Sequence, residues 1–324
     1  MGRDSGTPER LGDFLRKKLK GQDGLVSVIE SIAEASKDLS RSIRAAGLAN
    51  ILGATETVNV QGEVAQVLDV LATEGFADAL RKNPHVAGFA CEELDSFEVF
   101  PGDSDDRYLC VFDPIDGSSN IDVAAPIGSI FGLYAAEAGE VTEQSFLRPG
   151  REQTAALYTI YGSSTQLVLA ASSDGVNIFT LDPAANEYVL TLENARLPED
   201  GPYYSVNEGN AHKWDASIQE AVANFRKSLS LRYIGTLVSD FHRGLLKGGI
   251  FLYPGDQKNP NGKLRLLYEA NPMAFIVEAA GGTASAGYSR ILDIAPTAIH
   301  QRVPLFIGNT DMVREVEALA ARAG

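Results

Sequence analysis

The feature that most constrains this 324-residue chain is the run YLCVFDPIDGSSN at 108–120. YLCVF is a short continuous apolar run, the signature of a strand buried on both faces. It ends on two acids three positions apart, Asp113 and Asp116. Pro114 between them fixes φ, and Gly117 behind them permits an unusual backbone angle. Two carboxylates so close repel unless something positive lies between them. A hard divalent cation fits: Mg²⁺ takes oxygen ligands at about 2.0–2.1 Å and keeps waters on its substrate side. The Ile115 carbonyl is a further candidate ligand in the same turn.

Behind the second acid come Gly117, Ser118, Ser119, Asn120 and Ile121. A helix starting there would turn free N–H groups outward beside the carboxylates, a cradle for a phosphate. Two metals about 3.5–4 Å apart could then clamp the oxygens of a phosphoryl group in transfer. A plain surface turn is the alternative. Glu92 and Glu93 in CEELDS, some twenty residues upstream, and SSN directly after, weigh for the metal.

Three more acids are candidates. Glu63 is expected to open a helix near Gly62, and Asp69 interrupts its apolar run in VLDVL. Six residues apart on a helix, they lie roughly 120° apart, so both could border a wide pocket without sharing one point. Helix capping for Glu63 and solvent exposure for Asp69 remain open. Glu269 in LLYEANP sits among apolar residues, where an unpaired carboxylate is costly. Either a metal or an i,i+4 pair with Arg265 would settle that cost.

The first 80 or so residues read as helical, with stripes at Leu11–Leu19 and Leu25–Leu48, a linker from Leu48 to Val60 and a third helix from Gly62. From Val86 the period changes. Strands are expected at 108–112, 127–136, 167–172, 176–181 and 187–192, and 192–202 is the best linker. The second half alternates: strands at YYSVN, LRYIG, GIFLYP and VPLFIGN, helices at 211–227, VSDFHRGLLKGG, LLYEANPMAFIVEAAGG and from Thr310. This interleaving predicts a layered α/β architecture. Length suggests two domains, 1–195 carrying the metal turn and 196–324 as an α/β substrate domain.

Charge excludes some partners. Net charge is −15 and the isoelectric point about 4.7, so nucleic acid and anionic membrane, which need a basic footprint, are poor partners. MGRDSGTPERLGDFL lacks an apolar signal core, and the two cysteines, Cys91 and Cys110, form no metal or redox motif. The expectation is an acidic cytoplasmic protein. Trp214 lies in an exposed-looking AHKWDA segment with no functional account. Against the acidic background, Asn207, Arg232, Tyr233, Tyr253, Lys263 and Arg265 fall at expected strand ends. Such groups suit a second, non-reacting phosphate; scattered surface residues with snorkelled stems are the alternative.

Taken together, VNVQGEVAQVLDVL, CEELD, CVFDPIDGSSNID, YSVNEGN, LRYIG, GGIFLYPGDQKNPNGKLRLLYEANPMAF and DIAPTAIHQRVPLFIG resemble the class I fructose-1,6-bisphosphatase family, over about Leu11 to Met312. The metal turn alone is shared with inositol-monophosphatase-type enzymes; GKLRLLYEANP is narrower. The resemblance implies an α/β fold of five layers, an α-β-α-β-α sandwich of the sugar-phosphatase type in two domains. It implies Mg²⁺-dependent hydrolysis of the 1-phosphate of fructose 1,6-bisphosphate, with two or three ions per site and Mn²⁺ as the alternative. Glu92, Asp113, the Ile115 carbonyl, Asp116, Glu269 and Glu63 would hold the metals. Glu93 and Asp69 would place or deprotonate the attacking water, Glu92 joining them as catalytic. Asp116, Gly117, Ser118 and Ser119 would hold the 1-phosphate, with Arg265 also on the substrate. Asn207, Tyr233, Tyr253 and Lys263 would bind the 6-phosphate, and Arg232 would do so from a neighbouring subunit. Relatives are homotetramers, so a homotetramer is implied, a homodimer being the alternative. The pathway served could be gluconeogenesis or carbon fixation.

Departures from the family pattern matter. Many relatives carry a Tyr soon after NEG; here Gly209 is followed by Asn210 and Ala211. A sedoheptulose-1,7-bisphosphatase or a dual enzyme therefore stays open, with an inositol-phosphatase-like enzyme behind it. Plastid relatives have a cysteine-bearing central loop that is missing here, so thiol control is not expected. Relatives inhibited by AMP use a Thr-Gly-Glu-like run between the first two helices, a Lys-Tyr before the metal strand and an Arg after the next strand. This chain has Gln22-Asp23-Gly24, Arg107-Tyr108 and Ala135. Activity titrated with AMP is expected to show weak inhibition or none; an inhibition constant in the micromolar range would contradict this reading.

Overall fold

In the computed structural model, residues 8–49, 54–58, 64–102, 104–171 and 175–323 are described. The chain begins with helices α1 (Leu11–Lys18) and α2 (Asp23–Ala49). Strands β1 (Ala54–Val58) and β2 (Val64–Gln66) pair antiparallel before α3 (Val67–Arg81). Next come β3 (Val86–Cys91), β4 (Glu98–Val99), β5 (Tyr108–Asp116) and β6 (Ile127–Ala135). After the short α4 (Glu143–Phe146) follow β7 (Ala155–Tyr161), β8 (Thr165–Ala171), β9 (Val176–Asp182) and β10 (Glu187–Ala195). The second half runs β11 (Tyr203–Ser205), α5 (Ala216–Ser228), β12 (Ser230–Leu231), α6 (Leu237–Lys247), β13 (Ile250–Tyr253), β14 (Leu264–Arg265) and α7 (Asn271–Ala279). It closes with β15 (Thr283–Ser285), β16 (Arg302–Val303), β17 (Leu305–Gly308) and α8 (Thr310–Ala323).

Five layers result. The eight-stranded sheet has the order β10-β9-β8-β7-β6-β5-β3-β4, antiparallel except for β3 beside β5. One face carries α1, α2 and α3, with Phe14, Ile29, Phe76 and Leu80 meeting Phe112, Phe131 and Phe179. The rings of Phe112 and Phe131 stack at 5.7 Å, and Phe76 meets Phe131 edge-on at 4.8 Å. The other face packs on α6 and α7 through Ile130, Tyr158 and Val168. The same two helices meet the inner face of the second sheet, β12-β11-β13-β17-β15, at Phe251, Leu305 and Ile307. Its outer face, Ile250, Leu252 and Phe306, is covered by α5 and α8. The alternation 250/252 out and 251 in is the period of two that a sheet buried on both sides demands.

Several expectations are corrected. The stretch read as a linker contains β1, and the third helix starts at Val67 rather than Gly62, because Val64–Gln66 is spent on pairing with β1. Glu63 lies outside the described residues. Strand β7 was not anticipated: its sequence AALYTIY mixes small and large residues and shows no alternation. LRYIG is strand only at its first residue, the rest forming a loop into α6. Trp214 is buried, 5 % exposed, against Ile218 and Val313 of the outer layer. The expected helix with an internal proline is a π-turn at Leu266–Ala270 running on into α7, and Pro272 falls just past the point where the wide turn gives way to α-helix.

Among the polar contacts that cross between layers, one joins a tyrosine to a titratable imidazole. The Tyr158 hydroxyl on β7 hydrogen-bonds His242 Nδ1 on α6 at 2.7 Å. Burial pushes the imidazole down to about 4. In the unfolded chain the ring takes up its proton near 6.5. The unfolded state thus binds more protons between 6.5 and 4, and stability falls as pH drops through that window. The loss is at most about 3 kcal/mol. Thermal melts across pH 7 to 4 should show a steeper decline for the wild type than for His242→Gln.

Candidate active site

The site forms where four elements end together. Strands β3 and β5 are parallel, so Glu92–Glu93 after the one and Asp113–Asp116 at the end of the other emerge at the same edge. Helix α3 returns directly into β3 and packs on β3 and β5, so it runs opposite to them. Its first turn, carrying Asp69, therefore lies at that same edge. The π-turn before α7, which packs on β5, brings Glu269. Asp69 is not exposed: it is 4 % accessible, and its Oδ2 accepts from Gln66 N–H at 3.0 Å, capping α3.

Ligand oxygens of Asp113, Asp116 and Glu269 lie within 4.8 Å of one another, and all three residues are buried. Among the described residues this is a donor set for a metal. Burial, then the charge of Glu92, then those of Glu269, Asp116 and Glu93, pushes the Asp113 carboxyl well up. Burial and Glu92 do the same to Glu269, against the pull of Arg265. Asp116 is pushed up to about 6 by burial, opposed by two backbone N–H bonds. These groups resist carrying charge together without a cation. The all-oxygen donor set fits a hard divalent ion.

Each acid is held. Asp116 accepts from Leu237 N–H at 3.1 Å and Val238 N–H at 2.6 Å, the positive end of α6. A carboxylate has about four lone-pair sites, so this leaves capacity for a cation. Glu269 Oε2 accepts from Arg265 N–H at 2.5 Å. The Arg265 guanidinium sits 3.2 Å from Glu92 Oε1 and donates to Lys263 O at 2.6 Å. It is buried, and its Nε–H has no partner. The anticipated i,i+4 pairing is thus split: backbone to Glu269, side chain to Glu92.

Gly117 has φ +90°, and a Cβ there would collide with the Thr236 side chain. The helix behind it is a six-residue 3-10 helix, Ser118–Val123, rather than an α-helix. The first N–H groups of such a turn still lack carbonyl partners within it. Sequence reasoning missed Ser129. Fully buried on β6, it donates its hydroxyl to Pro114 O at 2.7 Å. The β5–β6 ladder slips between Asp113 and Asp116, so Ser129 supplies the bond that the irregular turn lacks. A short polar residue in an apolar strand facing DPID was the only signal. His300, also missed, ties Leu94 O at 3.0 Å and so the Glu92–Glu93 loop.

The other expected residues gather at the second sheet. Strands β12, β11 and β13 run parallel, so their last residues share one edge. That edge presents Tyr233, Asn207 and Tyr253 in the order of the strands, the usual ligand position of α/β sheets. Asn207 lies within hydrogen-bonding reach of the Tyr233 hydroxyl. Lys263 is exposed and precedes β14, which pairs with β16 just before β17. Arg232 is exposed, stacked over the Tyr203 ring at 5.4 Å.

Buried acids converging at strand ends, next to a turn offering N–H groups, are the equipment of a metal-dependent phosphatase on a layered α/β fold. The family models for the N-terminal and C-terminal domains of fructose-1,6-bisphosphatase match residues 13–193 and 197–321. The chain belongs to the fructose-1,6-bisphosphatase family. A crystal structure of Leishmania major fructose-1,6-bisphosphatase in holo form is similar at a TM-score of 0.93 and 36 % identity, over 98 % of this chain and 100 % of that one.

Divalent cation should stabilise the protein, since it binds the fold and not the scattered acids of the unfolded chain; at a hundred times its dissociation constant the gain is about 2.7 kcal/mol. Differential scanning fluorimetry with and without Mg²⁺ should show that rise in the wild type. Asp113→Asn should lose it, while melting higher than wild type without metal because one repelling charge is gone.

Proposed function

We propose that this protein hydrolyses the 1-phosphate of fructose 1,6-bisphosphate to fructose 6-phosphate and inorganic phosphate. The observation that carries this is the pairing of the acid cluster at the end of β5 with the polar edge of β11–β13, one phosphate to each. Asp113, Asp116, Glu269, Glu92 and the Ile115 carbonyl are assigned to hold the cations, with Mg²⁺ the preferred ion. Cations bound there would lower the pKa of water and neutralise charge on the phosphoryl oxygens.

The chain's own part is positioning and proton handling. N–H groups and hydroxyls of Ser118 and Ser119 hold oxygens of the reacting phosphate. Asp69 and Glu93, at the strand edge beside the cluster, are assigned to orient the attacking water and take its proton. Asn207, Tyr233, Tyr253 and Lys263 hold the distal phosphate, fixing the sugar so that attack is in line. Arg265, its guanidinium held by Glu92 and the Lys263 carbonyl, is assigned to the substrate as well.

Further assignments follow the family. The active form is a homotetramer in which Arg232 reaches the neighbouring subunit's substrate. Its compartment is the cytoplasm, consistent with two buried free cysteines. No helix among the described residues is long and apolar enough to cross a membrane. The Asp106 carboxylate accepts from Gly24 N–H at 2.6 Å in the first turn of α2 and from the Tyr108 hydroxyl at 3.0 Å. That helix end is already met by a negative charge, which opposes a nucleotide phosphate there.

Steady-state kinetics with Mg²⁺ tests the two halves of the reading separately. Lys263→Ala should raise KM for the bisphosphate about tenfold with kcat nearly kept, the loss of one charged contact. Asp69→Asn should lower kcat by about 10²–10⁴ with KM nearly kept. Equal KM for wild type and Lys263→Ala would remove the distal phosphate from the site.

A further inference from the structure

The loop 232–236 between β12 and α6 carries Tyr233; its start is tied to β11 by Arg232 N–H to Tyr204 O at 2.9 Å, and its turn is gripped by one buried side chain. Asp240, 3 % exposed on α6, accepts from Ile234 N–H at 2.9 Å through Oδ1. Its Oδ2 accepts from Gly235 N–H at 2.9 Å and also lies 3.1 Å from Ile234 N. Gly235 has φ +97°, so the loop turns back sharply at the point where Asp240 grips it. Both carboxylate oxygens are thus engaged by backbone, and Arg243 on the next turn faces the charge.

The same helix holds the other end of the site. Leu237 and Val238, one turn before Asp240, donate their N–H groups to Asp116. Asn120, in the 3-10 turn after the metal ligands, reaches the opposite face of the loop, its Nδ2 donating to Ile234 O at 3.4 Å. Gly117 lies against Thr236 too closely to admit a Cβ. The reacting-phosphate cradle and the Tyr233 loop are therefore built on one rigid piece, the first two turns of α6.

We propose that Asp240 is a positioning residue that sets the span between the two phosphate subsites, and so selects substrates with phosphate at both ends. This rests on the reading that Tyr233 contacts the distal phosphate. Asp240 touches neither phosphate. It acts by fixing where Tyr233, and Asn207 against it, stand relative to Gly117–Ser119. Binding energy from a remote phosphate is useful only if that phosphate is held at the distance the sugar dictates.

The test compares fructose 1,6-bisphosphate with fructose 1-phosphate, using full-length wild type, Asp240→Asn and Tyr233→Phe, with melting curves to confirm folding. In Asp240→Asn a single neutral oxygen must serve both N–H groups in place of two charged ones, and the loop loses its charged anchor. KM for the bisphosphate should rise about tenfold, with kcat within threefold, the Mg²⁺ dependence unchanged and fructose 1-phosphate turnover unaffected. Adding Asp240→Asn to Tyr233→Phe should cost less than it does alone, since both act through one contact. An unchanged KM, or an equal loss on both substrates, overturns the proposal. If Asp240→Asn yields no folded protein, Asp240→Glu, which keeps the charge but displaces the loop, is read on the same two substrates. Failure of the underlying reading looks different: the wild type itself would then show no preference for the bisphosphate.

Discussion

Everything in this molecule is arranged around carboxylates that would rather not be neighbours. Asp113, Asp116 and Glu269 are buried within a few ångströms of one another, with Glu92 beside them. In a low-dielectric interior such a group is unfavourable unless a cation joins it. The fold supplies partial compensation from rigid sources: the N-terminus of α6 to Asp116, a backbone N–H to Glu269, and the Arg265 guanidinium to Glu92. These keep the oxygens in place while leaving the charge deficit that makes the site useful.

That arrangement explains the middle layer. Among the described residues, helices α6 and α7 touch both sheets through one core cluster. Each carries part of the site at its beginning: the N–H groups that hold Asp116, and the π-turn that presents Glu269. Wide turns of this kind recur at functional positions because they re-aim a side chain without breaking the helix. The large sheet contributes the rigid strand ends, and the small sheet contributes the edge where Asn207, Tyr233 and Tyr253 stand.

Much of this was legible in the sequence. The strand YLCVF, its acids and the turn glycine are local features, governed by sterics and charge within a dozen residues. The strand ends that carry Asn207 and Tyr253 followed from the same short-range pattern. What escaped was long-range. β1 and β2 read as linker and helix because their pairing, not their propensity, makes them strands. Asp69 could be read as a solvent-facing interruption because nothing in VLDVL tells that the helix's first turn abuts a sheet edge. Ser129 and His300 act through backbone atoms fifteen and more than two hundred residues away, and Asp240 through a loop folded back onto its own helix; a hydroxyl or carboxylate in an apolar run does not announce its partner. Trp214 sits in polar sequence yet is covered by α8, more than ninety residues later.

The two cysteines lie on adjacent parallel strands but out of register, Cys110 opposite Phe89 and Cys91 opposite Phe112. Both are wholly buried, and burial holds both thiols well above their ordinary range. They are therefore poor nucleophiles while the sheet is closed. Any reagent that finds them has done so by waiting for the helical layer to lift from that face of the sheet, so the chain carries its own clock for that opening, set beside the buried acid cluster and silent as long as the layers stay shut.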